Sequence, residues 1–126
     1  MDNNKIYISG TLDKEGKQGL VSVPLERINF FSTEGKRIIF GTSDCIYYLP
    51  DTIAGINVAL QATKHESGQF EKFDRSCIVK IEEVDEVDGV WSRIYFKPSS
   101  MGKSLFRDVS KGAFRLIREK LTKKKP

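Results

Sequence analysis

Arg75 stands in the stretch FEKFDRSCIV, Phe70 to Val79, where Phe70, Phe73, Cys77, Ile78 and Val79 bracket it closely on both sides. The pattern reads as two strands meeting at a tight polar corner, with Arg75 and Ser76 at the corner and an apolar core beneath. A guanidinium held on a rigid support presents a planar fork of donors, suited to anions and to the acceptor edges of bases. Other chemistry-bearing residues offer less. The single histidine, His65, lies in the polar stretch ATKHESG and reads as a solvated side chain rather than a base or ligand. There is no Gly-rich phosphate loop, CxxC, HExxH or GxSxG. Nothing nominates a general acid/base pair, so neither an enzyme nor a cofactor is expected. The acidic run EEVDEVD, Glu82 to Asp88, lacks the ligand spacing of a calcium loop and is interrupted by Val84 and Val87. It reads as a solvated hairpin arm that should point away from any polyanion, and no metal site is expected. Cys45 and Cys77 sit among apolar neighbours and read as buried reduced thiols of a cytosolic protein.

The charge of the chain is unevenly placed. The net charge is +4 over 126 residues, yet residues from Lys97 onward carry +8 and residues 1–96 carry −4. A cationic end can meet a polyanion while the rest keeps the chain soluble. Nucleic acid suits that pattern, and an anionic membrane surface would accept it too. The apolar and charged fractions, 39% and 30%, are those of a globular protein, and the length fits one domain. No apolar run is long enough to span a bilayer. The start, MDNNKIYISG, lacks a secretory signal, so the expected location is the cytoplasm.

The elements that must position these residues are mostly short strands. Residues 1–16 read as a lead-in, with a strand from Lys5 to Ser9, and residues 122–126 as a basic tail. Between them the pattern predicts strands at Leu20 to Pro24, Ile28 to Thr33, Arg37 to Gly41, Cys45 to Leu49, Phe70 to Asp74, Ile78 to Val87, Trp91 to Phe96 and around Ser104 to Phe106. Gly35 supplies the turn between the second and third, and Asp88-Gly89 marks a hairpin. An internal helix is expected from Pro50 to Leu60, with Ile53, Ile56 and Leu60 on one face. A second runs from Lys111 to Leu121, capped by Ser110, with Ala113, Phe114, Ile117 and Leu121 as its apolar stripe. The fold class is therefore mostly β.

Three stretches together resemble the LytTR family of bacterial DNA-binding domains. VPLERINFFSTEGKRIIFGT, Val23 to Thr42, is similar to the family's opening strands and turn. FEKFDRSCIVKIEEV, Phe70 to Val84, is similar to the motif F-x-[RK]-x-H-[RN]-S-[FY]-[IL]-V-N. FRDVSKGAFRLIREKL, Phe106 to Leu121, resembles the closing strand and amphipathic helix. The match covers residues 17–121 in the family's order. It departs at Asp74, where the family usually has His, and at Lys80, where it usually has Asn.

The resemblance implies an elongated stack of small antiparallel β-sheets whose loops enter the grooves of double-stranded DNA. Carried over by position, Lys36, Arg75 and Arg107 would contact bases. Ser32, Thr33, Arg37, Ser76, Lys103 and Ser110 would contact the DNA backbone, and Lys123 to Lys125 would add salt-sensitive affinity. It implies a transcription regulator, standalone because no receiver domain precedes the motifs, with two copies forming a dimer on paired sites about one helical turn apart. Asp74 beside Arg75 could pair with it or repel phosphate, and Arg107 could instead pair with Asp108 or Asp74. Such departures favour a second reading, a β-domain that binds a regulatory protein partner and has lost its DNA contacts. A single-strand or RNA binder is a third, but Phe30, Phe31, Tyr47 and Tyr48 read as sheet residues rather than a stacking platform.

Overall fold

The computed structural model describes residues 6–35, 37–49, 56, 70–98, 102 and 105–124. Lys36, His65, Lys103 and Lys125 lie outside them, as does the expected helix from Pro50 to Leu60 apart from Ile56, which is helical and buried. Three antiparallel sheets and a C-terminal helix make up the described fold. Strands β1 (Tyr7–Gly10) and β2 (Val21–Pro24) pair with each other. The central sheet contains β3 (Phe30–Glu34), β4 (Arg37–Gly41), β5 (Ile46–Leu49), β6 (Phe70–Asp74) and β7 (Cys77–Lys80), in the order β5-β4-β3-β7-β6. The third sheet orders β8 (Val84–Asp88), β9 (Arg93–Phe96) and β10 (Phe106–Asp108) as β10-β9-β8. Helix α1 (Lys111–Lys124) continues three residues past the predicted end at Leu121.

The central strands are apolar on both faces because both faces are covered. Side chains alternate across a strand, so Phe30, Ile39, Cys77 and Val79 enter one core with Ile94 and Phe96 of the third sheet and Ala113, Phe114 and Ile117 of α1. Their neighbours Phe31, Ile38, Phe40 and Ile78 enter a second core with Val23, Leu25, Ile28 and Ile56. Phe30 joins the two larger sheets: its ring stacks on Phe96 with centroids 5.1 Å apart and planes 16° from parallel. Gly41 lies so close to Phe30 that a Cβ there would sit 2.4 Å from the ring, so the position admits only glycine without rearrangement. Gly35, at φ +63°, turns β3 into β4 as expected.

One strand expectation is corrected. Ile78 to Val87 is two strands in different sheets, separated by a 3-10 turn at Ile81–Glu83. The apolar period shows why. Cys77, Val79 and Ile81 alternate on one face, then the next core residue is Val84, three positions on. A straight strand would have turned it away from the core.

Candidate nucleic-acid interface

The corner between β6 and β7 is built by its own acid. Asp74 Oδ1 accepts the Ser76 backbone N–H at 2.8 Å and the Ser76 hydroxyl at 3.0 Å, an Asx-type closure of the turn. A register shift between Lys72 and Asp74 puts Asp74 opposite Cys77 while Phe73 is buried beneath. Arg75 is left exposed at the tip of a turn anchored on both sides.

Hydrogen bonds join this corner to two other segments and, through the second of them, to a third. The Thr33 N–H donates to the Ser76 carbonyl at 3.3 Å, which sets the corner beside the β3–β4 turn and its last pair, Glu34 and Arg37. The Ser110 hydroxyl donates to Asp74 Oδ2 at 2.6 Å and accepts the Ala113 N–H at 3.0 Å, so the helix cap and the corner share one carboxylate. The Val109 N–H donates to the Ser92 carbonyl at 2.9 Å, bringing in the β8–β9 turn. The acidic arm, expected to point away from any polyanion, thus has its far end at the corner's end of the molecule instead. Burial works to raise the Asp74 pKa, but the hydrogen bonds from Ser110 and Ser76, with the charge of Lys72, hold it below the usual carboxylate value. Asp74 is therefore the knot of the site, and its bonds are to serines rather than to Arg75.

The expected contact residues divide by position. Arg75 and Arg37 are exposed and Thr33 is half-buried. Ser76 and Ser110 reach the same end with their hydroxyls engaged by Asp74. Ser32 is withdrawn from the surface: it pairs with Cys77 and, two residues from Phe30, lies on the covered face, 8% exposed. Arg107 is half-buried on the inner side of β10, opposite Ile94, with its guanidinium carbon 5.7 Å from the Phe30 ring centroid and its Nε buried without a hydrogen-bond partner. Both acids offered to it are bonded elsewhere, Asp74 to the serines and Asp108 to Arg93 at 2.6 and 3.3 Å. Lys36 and Lys103 lie outside the described residues.

Lys80 has a role of its own. Its ammonium turns inward, donates to the Glu26 carbonyl at 2.8 Å and lies 5.2 Å from the centre of the Phe70 ring. Burial lowers its pKa, against the opposing charges of Glu83, Glu82 and Glu26. It stands at the end of β7 away from the corner, so this departure from the motif leaves the corner untouched. Cys77, by contrast, begins β7, and burial with the charge of Asp74 pushes its thiol up to about 12 against the pull of Arg107.

One further cation, outside the expected contacts, stands at the same end. Lys111 follows the Ser110 cap and is exposed in the first turn of α1, which has no acid. The helix dipole disfavours a cation there, and that misfit was the available signal.

Among the described residues no group of acids, histidines and cysteines is arranged to hold a metal ion, and no helix is long and apolar enough to cross a membrane. A comparison with curated proteins finds no match. Among solved structures, the chain is similar to the LytTr DNA-binding domain of a Bacillus cereus protein described as a methyl-accepting/DNA response regulator. The TM-score is 0.59 at 14% identity, over 91% of this chain and 95% of that one. That likeness is one of fold. The model of the LytTr DNA-binding domain matches residues 18–121. The chain belongs to the LytTR family of DNA-binding domains.

Proposed function

We propose that this chain reads a specific sequence in double-stranded DNA and regulates transcription in a bacterial cytoplasm. The observation that carries the reading is the Asp74 knot, which fixes Arg75, the β3–β4 turn and the start of α1 at one end of the fold. Arg75 reads a guanine through O6 and N7 in the major groove, with Lys36 and Arg107 as the other base contacts. Thr33, Arg37, Lys103 and Lys111 meet the backbone and fix orientation, while the hydroxyl protons of Ser76 and Ser110 are held by Asp74. Asp74 and Ser110 act by holding that end rigid, so the acid in the motif serves the corner.

Selection from random duplexes at near-physiological salt tests the reading. The wild type enriches a motif. Arg75→Ala loses preference at one position of it and weakens binding to the selected site by about 1–3 kcal/mol, roughly 5- to 150-fold. Lys111→Ala lowers affinity for all duplexes alike and reduces the salt slope by about one. A wild type that enriches nothing overturns the reading.

A further inference from the structure

The β8–β9 turn ends in two apolar residues that the fold leaves in water, Val90 at 86% and Trp91 at 65% exposure. The turn is held in place. The Val90 N–H donates to Asp88 Oδ1 at 2.9 Å, and Ser92 takes a left-handed conformation, φ 50°. Arg93 lies between two rings, 5.9 Å from the centre of Trp91 and 4.2 Å from that of Phe106, and is clamped by Asp108. Phe106 is itself 45% exposed and packs against Tyr95 at 5.7 Å. A rigid aromatic platform therefore surrounds an arginine whose geometry is fixed.

Its place in the fold says what it meets. Ser92 is bonded to Val109, Ser110 follows, and Ser110 is bonded to Asp74 beside Arg75. Gly89, Val90, Trp91 and Ser92 carry no charge, and of the nearby carboxylates Asp88 accepts the Val90 N–H and Asp108 is paired with Arg93. An uncharged, preorganised apolar tip continuous with a cationic reading end suits the deoxyribose faces of a duplex, which present CH groups between the phosphates. We infer that Val90 and Trp91 form a further contact to duplex DNA, lying against the sugars of the strand that flanks the bases read by Arg75. The inference rests on the proposed function and adds the contact that supplies affinity without sequence.

Trp91 is the chain's single tryptophan, so its fluorescence reports this turn alone. A labelled duplex carrying the selected motif is titrated with the full chain while anisotropy and acrylamide quenching of Trp91 are followed. Binding is expected to reduce the quenching constant about threefold. Trp91→Ala weakens binding about tenfold on every duplex, with motif and salt slope unchanged, because the lost contact is apolar and uncharged. If anisotropy rises while quenching stays the same, the tip stands clear of DNA and this inference fails with the proposed function intact. If anisotropy does not rise for any duplex, both fall.

Discussion

Phe30→Ala is expected to cost about 3–5 kcal/mol of folding stability, the range for an aromatic deleted from a tight core. Phe30 is 1% exposed and stacked on Phe96, so its ring is the filling between the central sheet and the β8–β10 sheet. Small domains hold only about 5–15 kcal/mol in total, so this one change takes a large share of the whole. Urea denaturation at constant pH measures it. Phe30→Leu separates packing from platform. It retains most of the volume and folds, with a loss nearer 1 kcal/mol, but it removes the flat ring beneath Arg107. Folded Phe30→Leu should bind duplex DNA more weakly than the wild type, and equal affinity would show that Arg107 owes nothing to Phe30.

The second large effect is expected at Asp74. Asp74→Ala removes the acceptor of the Ser76 N–H, the Ser76 hydroxyl and the Ser110 hydroxyl at once. Hydrogen bonds to a charged acceptor contribute about 1.5–3 kcal/mol each when buried, and this site is partly open to water, so a total loss of about 2–3 kcal/mol is the expectation. Two outcomes follow together: lower stability, and DNA affinity lost beyond what Arg75 alone contributes. A family-like Asp74→His should restore part of both only if its ring can accept from the same serines.

The pH dependence has a definite sign. The folded pKa of Asp74 is lowered, so its contribution is complete above the unfolded value of about 3.8 and fades as pH falls through the folded value below it. Chemical denaturation of the wild type and Asp74→Ala at pH 7 and at pH 3 should give curves that converge in acid. A difference that persists undiminished would place the stabilisation in something other than the carboxylate.

Much of this was legible in the residues. Short apolar runs with turn chemistry between them marked eight of the ten described strands as separate units, because period-two alternation and Gly or Asp turns are local signals. The break inside Ile78 to Val87 was not, because it depends on which of two sheets each half joins. Nor was the fate of Arg107. From sequence it is a surface cation at a strand end, and only the stacking of β10 over Phe30 makes it half-buried. Asp74 beside Arg75 invited an ion pair, but a closer set of donors lay two residues away and thirty-six residues away. Lys111 offered a readable clue, a cation where the helix dipole asks for an acid.

The burial of Cys77 has a chemical consequence. Thiolate is the form that reacts with oxidants and alkylating agents, and a thiol at about 12 leaves roughly one molecule in a hundred thousand ionised at neutral pH. A sulfur two residues from Arg75 is thus kept out of the redox chemistry of its surroundings. Oxidants and alkylating reagents are therefore expected to reach this sulfur only when β6 and β7 come apart.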